Sequence, residues 1–207
     1  MNIILEACVG NYKEGKRAFE LGANRIELCD NLKEGGTTPS YGTILKCRKD
    51  LSIDINVIIR PRGGNFIYSK EEIEIMKTDL EICKEVGVNG VVFGFLKEDN
   101  TLDYELTKEF VALAKPLSIT FHMAFDEIED KFSALDSLID LGIDRVLTKG
   151  GQNSANENKE VLKKLVEYAK GRIIILPGGG VNKDNFLDIK EYTGAREFHG
   201  SKIVGNL

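Results

Sequence analysis

Two tripeptides, Glu6-Ala7-Cys8 and Glu27-Leu28-Cys29, repeat one pattern of carboxylate, apolar residue and thiol. Each ends a short run, Ile3–Ala7 and Arg25–Leu28, that reads as a strand. Strand side chains alternate, so Glu6 and Cys8 share one side, as do Glu27 and Cys29. Sequential strands lie about 4.8 Å apart when they pair, and the two thiols would then face each other. Adjacent thiolates suit a soft cation such as Cu(I). The plainer alternative is two buried thiols filling small gaps. The same placement makes Glu6 and Glu27 a candidate acid/base pair, because one carboxylate raises the pKa of another. Cys47 and Cys83 fall inside helix-like segments and are expected to pack.

A second group of residues suits an anion. Arg60-Pro61-Arg62-Gly63-Gly64 presents two cations on a stiffened turn, and Arg forks match carboxylate or phosphate. One of Arg60 and Arg62 is expected to be structural and the other to meet a ligand. Gly178-Gly179-Gly180 precedes a helix-like segment, and with Gly200-Ser201 it resembles the phosphate-gripping loops of many barrels. The alternative for the glycines is a tight turn. The chain's two histidines, His122 and His199, both follow strand-like runs. His122 is a candidate acid/base group that Asp126 could orient, or else a hydrogen-bonded core residue. His199 has only Glu197 nearby on its own strand.

These residues need a scaffold that gathers strand ends at one face. Eight strand-like runs alternate with seven helix-like segments, the rhythm of a parallel sheet. LGANRIEL, VGVNGVVF, LGIDRVLT and the looser TGAREFHG recur at about the length of two βα units. Each places a Gly where a helix ends and a strand follows. Four double units predict a single-domain (β/α)8 TIM barrel over residues 1–207, with its active face at the C-terminal strand ends. An open doubly wound sheet is the alternative, but G-x-G-x-x-G is missing after the first strand. Few residues follow His199, so the eighth helix is expected to be short or missing.

Composition narrows the function classes. The 207 residues carry 28 Lys+Arg against 33 Asp+Glu, a net charge of −5, which argues against an overall field that collects nucleic acid. No apolar run reaches the roughly 18–20 residues of a membrane span. MNIILEAC lacks the basic start of a signal peptide. A cytoplasmic protein with four free thiols is expected.

The segments IELCDNLKEGGTTPS, IIRPRGGNFIYS, ITFHMAFD, ILPGGGV and EFHGS resemble, in order and across nearly the whole chain, the CutC copper-homeostasis family. The resemblance implies a cytoplasmic (β/α)8 barrel linked to copper tolerance and Cu(I) binding, with Cys8 and Cys29 as the cysteines concerned. Two departures stand out. Met123 replaces the Arg of the FHRAFD found in many relatives, and the chain stops at Leu207 where many continue. Three functions follow: a Cu(I)-binding homeostasis protein, an enzyme acting on a small anionic or phosphorylated metabolite, or an oligomeric scaffold. A barrel without its eighth helix leaves apolar flanks uncovered, so a homodimer is expected.

Overall fold

The computed structural model describes residues 3–207. Its elements run β1 (Ile4–Val9), α1 (Tyr12–Glu20), β2 (Arg25–Leu28), α2 (Tyr41–Asp50), β3 (Asp54–Ile58) and α3 (Lys70–Val86). They continue β4 (Gly90–Phe93), α4 (Tyr104–Ala114), β5 (Ser118–Phe121), α5 (Lys131–Asp140) and β6 (Arg145–Thr148). The last four are α6 (Lys159–Ala169), β7 (Ile174–Pro177), α7 (Phe186–Thr193) and β8 (Glu197–Gly200). All ladders are parallel, in the order β7-β6-β5-β4-β3-β2-β1-β8. This is the expected (β/α)8 barrel. Strands β2, β4, β6 and β8 are buried at every residue. One face meets the helices and the other fills the barrel. Ile26, Ile55, Phe93 and Phe110 are fully buried in this core, each contributing about 1.5–3 kcal/mol of apolar burial.

The repeated sequence motif has a structural meaning. Gly22, Gly87, Gly142 and Gly194 all take a left-handed backbone, with φ of 88°, 74°, 76° and 75°, the conformation that stops a helix cheaply only with Gly. Two residues after three of these glycines, a side chain ties two strands together. Asn24 Oδ1 accepts from Leu5 N at 2.8 Å, Asn89 Oδ1 from Ile55 N at 3.0 Å, and Asp144 Oδ2 from Ile119 N at 2.8 Å. The second amides of β1, β3 and β5 are thus paired by the residue before β2, β4 and β6. In the fourth copy Arg196 stands at that place, and its carbonyl accepts from Ile4 N at 3.0 Å. The motif pins the lower rim of the barrel.

Closure is made by β8 against β1, with Glu6 opposite His199. Between β7 and β8 the described residues form no ladder inside the strands. They meet just beyond, where Asn182 bridges Lys202. Gly200 is needed there, since a Cβ would lie 2.1 Å from the Val181 carbonyl oxygen. No helix follows β8 among the described residues, as expected. The tail instead folds back: Ile203 is buried, and Gly205 lies against Leu21 beyond the end of α1.

Candidate functional site

A cavity of about 570 Å³ opens at the C-terminal ends of the strands, the face where barrels of this type carry their chemistry. Cys8, Glu27, Cys29, Arg60, His122, Lys149, Gly179 and Ser201 all line it, from the ends of seven different strands or the loops that follow them. His199 also reaches it.

The thiol corner follows from strand register. Cys8 stands opposite Glu27 in the β1–β2 ladder, and Cys29 follows two residues later. Both sulfurs lie 3.5 Å from one oxygen, Glu27 Oε2. One donor atom each from Cys8, Glu27 and Cys29 falls within 4.8 Å of the others. His199 Nε2 is 3.6 Å from the same Glu27 oxygen, and its Nδ1 lies 2.8 Å from Glu6 Oε1. The imidazole therefore stands between the two carboxylates that the sequence suggested as a direct pair.

Their environments drive those carboxylates apart. Burial would raise Glu6, but Arg25 and then His199 outweigh it and hold the carboxyl at about 2. Burial pushes Glu27 up to about 8 despite His199. Burial disfavours a charged His199, yet Glu27, Cys8 and Glu6 around it raise it well above the ordinary value. A hydrogen bond from Cys29 holds Cys8 well below the usual thiol range against burial, with His199 adding to the effect. The bond to Cys8, together with burial, pushes Cys29 well above that range. The four groups titrate as one coupled cluster, in which Cys8 is favoured toward the thiolate and His199 toward the imidazolium, while Cys29 and Glu27 hold their protons more tightly than usual.

Beneath the cavity the charge network continues into the barrel. Arg25 Nε donates to Glu6 at 2.5 Å, and its Nη2 donates to Glu197. Arg145 Nε donates to the same Glu197 at 3.2 Å and its Nη1 to Ser118 Oγ at 2.6 Å. Asn56 Nδ2 reaches Glu6 at 3.4 Å. Glu6 is 1% exposed and does not line the cavity. It positions His199 from below.

The two loop arginines divide. Arg62 pairs with Glu72, the capping-box residue of α3, at 2.6 Å, and also donates to three backbone carbonyls. It does not line the cavity. Arg60 does, although its Nη atoms donate to the carbonyls of Glu34, Gly36 and Gly64. Its Nε is buried without an acceptor among the described residues.

His122 Nδ1 accepts from Ala124 N at 3.2 Å, so the ring is fixed by the short 3-10 turn Met123–Glu127 that it caps. Asp126 does not orient it, contrary to expectation. The turn swings Asp126 away to accept from Thr148 Oγ1 at 2.5 Å and Lys149 N at 2.9 Å. Burial, and then the nearby Arg60 charge, lowers His122 to about 3, so the ring is neutral. With Nδ1 accepting, Nε2 carries the proton, and no described residue accepts it.

Gly179 and Gly180 line the cavity in left-handed conformations, and Ser201 lines it from β8. Gly178 lies behind them, where a Cβ would meet Leu147, Met123 and His199. Helix α7 begins only at Phe186, so the glycines are a loop site rather than a helix start. One residue of the site, Lys149, was not singled out in the sequence. Lys149 follows β6 directly, a position that could have marked it. His199 gave no signal of its own role, because its partners lie on β1 and β2.

Fold and site together define a (β/α)8-barrel protein with one polar mouth and a thiol–carboxylate cluster at the ends of its first two strands. The profile of the CutC family matches residues 3–204. The chain is 50% identical over 203 residues to a family protein CutC of Parabacteroides distasonis, covering 97% of this chain and 83% of that one. It is 47% identical over 198 residues to a human protein named copper homeostasis protein cutC homolog, covering 96% and 72%. A CutC crystal structure from Streptococcus agalactiae superposes with a TM-score of 0.93 at 39% identity, covering 97% of this chain and 99% of that one. This chain belongs to the CutC family.

Proposed function

We propose that this protein serves copper homeostasis in the cytoplasm by binding Cu(I) as cargo through Cys8 and Cys29. The observation that carries this reading is the pair of sulfurs that share Glu27 Oε2 at 3.5 Å each. Sulfur donors at adjacent strand ends suit a soft monovalent ion better than any hard one. Cys8 is held toward the thiolate, while Cys29 holds its proton more tightly and must give it up on binding. The names of the relatives agree with this reading. Anaerobic Cu(I) titration against a competing chelator tests it. Cys8→Ser and Cys29→Ser are each expected to lower affinity at least about a hundredfold, the scale of losing a metal ligand. Cys47→Ser and Cys83→Ser should leave it unchanged. Equal affinity in the Cys8/Cys29 double variant and the wild type would remove the proposal.

A second reading is an enzyme on a small anionic metabolite. Glu27 favours it, since a carboxyl raised to about 8 beside a cavity can donate a proton near neutral pH. His122 and Glu27 would face the substrate, and Glu6 would position His199.

A further inference from the structure

We infer that the part of the cavity lined by Lys149, the Gly179–Gly180 turn and Ser201 is a phosphate subsite, which takes the phosphoryl end of a small phosphorylated metabolite. The inference goes beyond copper binding and gives the second reading a substrate class. It concerns binding alone.

The first argument is a surplus of donors. Among the described residues, none accepts a hydrogen bond from the amides of Gly179, Gly180 or Ser201. Successive amides in a turn of this kind form anion-binding concavities. Lys149 Nζ donates to Gln152 O at 3.1 Å, and an ammonium has two further protons to give. Arg60 Nε and His122 Nε2 add two buried donors without acceptors in the same cavity. A buried donor left unmade costs about 1–3 kcal/mol, whereas Gly180 and Ser201 are exposed, so their amides are open to an anion in the cavity.

The second argument is shape. Gly179 has φ of 75°, and a Cβ there would lie 2.4 Å from Lys149 Cγ. Only glycine lets the lysine stem pack over this turn and hold its charge at the cavity edge. The cavity as a whole is lined by Arg60, Lys149 and Lys202 against Glu27 and Glu127, a cationic balance in a protein of net charge −5.

The third argument selects phosphate over carboxylate. A carboxylate is read best by a free arginine fork. Both Nη atoms of Arg60 are held by backbone carbonyls, and Arg62 does not line the cavity. Amides, a hydroxyl and an ammonium instead surround a tetrahedral group with three terminal oxygens. At about 570 Å³ the cavity far exceeds one ion and matches a small organic ligand. A phosphoryl group at Gly179 leaves the organic part to the rest of the cavity, which Cys8, Glu27 and His199 also line.

Calorimetry with inorganic phosphate, in buffer free of phosphate and sulfate, tests this. One saturable site is expected. Lys149→Ala and Gly179→Ala should each weaken it by about tenfold or more, the scale of one hydrogen bond to a charged group. Acetate should bind at least about tenfold more weakly than phosphate. Cys8→Ser should keep full phosphate affinity, so the copper reading and this one fail separately. Far-UV circular dichroism shows that each variant is folded, and Lys149→Ala serves if Gly179→Ala is not. Absence of saturable binding, unchanged affinity in the folded variants, or acetate binding as tightly as phosphate would each overturn the inference.

Discussion

His199 Nδ1 stands 2.8 Å from Glu6 Oε1, across 193 residues of sequence. The two are direct partners in the β1–β8 ladder, so the step that closes the barrel also builds the site. Glu6 is held ionised from below by Arg25, and His199 turns its other nitrogen toward Glu27 and the thiols. Barrel interior and cavity are thus one connected network. A change at its base should be felt in stability first.

Arg25 is the test of that base. It is 5% exposed and pairs with both Glu6 and Glu197. Arg25→Met removes the cation and leaves two buried carboxylates, with Arg145 reaching only one of them. Breaking a buried pair in this way costs about 3–5 kcal/mol. Urea unfolding should show a lower midpoint at unchanged slope. Lys46, in an exposed pair with Asp50, is the comparison, and Lys46→Met should leave the midpoint nearly unchanged. Similar small losses for both would mean that the buried network adds little stability.

His122 sets the acid limb of stability. Burial, with Arg60 nearby, holds its folded pKa at about 3, against about 6.5 for an ordinary histidine. Between these values the unfolded chain binds a proton that the folded chain refuses, so stability falls as pH falls. The full contribution is present above about pH 6.5 and is lost progressively toward pH 3, at up to about 1.4 kcal/mol per pH unit. His122→Gln removes the titrating group and should flatten stability over that range relative to wild type. Parallel curves for the two proteins, from denaturant midpoints between pH 7 and 4, would exclude His122 as the source.

The barrel was legible in the sequence because its signals are local. A Gly at the left-handed stop and a β-branched run three residues on mark each double unit, and Gly22, Gly87, Gly142 and Gly194 take that conformation. The proximity of Cys8 to Cys29 was legible because strand alternation has a period of two. What escaped depended on contacts distant in sequence. Arg25 and Glu197, 172 residues apart, meet only inside the closed barrel. Asp126 was misplaced for the opposite reason: four residues from His122 in sequence, it is carried away by a tight turn to Thr148. Arg60 and Arg62 look alike in sequence, and only the approach of Glu72 at the start of α3 separates them.

Assembly is the last prediction. The place of an eighth helix, between α7 and α1, is covered only by the tail after Gly200. Ile203 fills part of it, while Val204 and Leu207 stay half-buried. On the flanking helices, Phe19 of α1 is 36% exposed and Leu187 of α7 is 53% exposed. Contiguous apolar patches beyond a few hundred Å² are uncommon on soluble monomers. A second copy seated over this edge would cover both helices at once, and two-fold symmetry is the commonest way for identical chains to do so. The expected mass in sedimentation or light scattering is therefore twice 23.0 kDa. Leu187→Glu should shift the protein toward monomer without lowering its unfolding free energy by more than about 1 kcal/mol, as for an exposed position. A wild-type mass that stays at 23.0 kDa on concentration would show that the tail alone closes the gap.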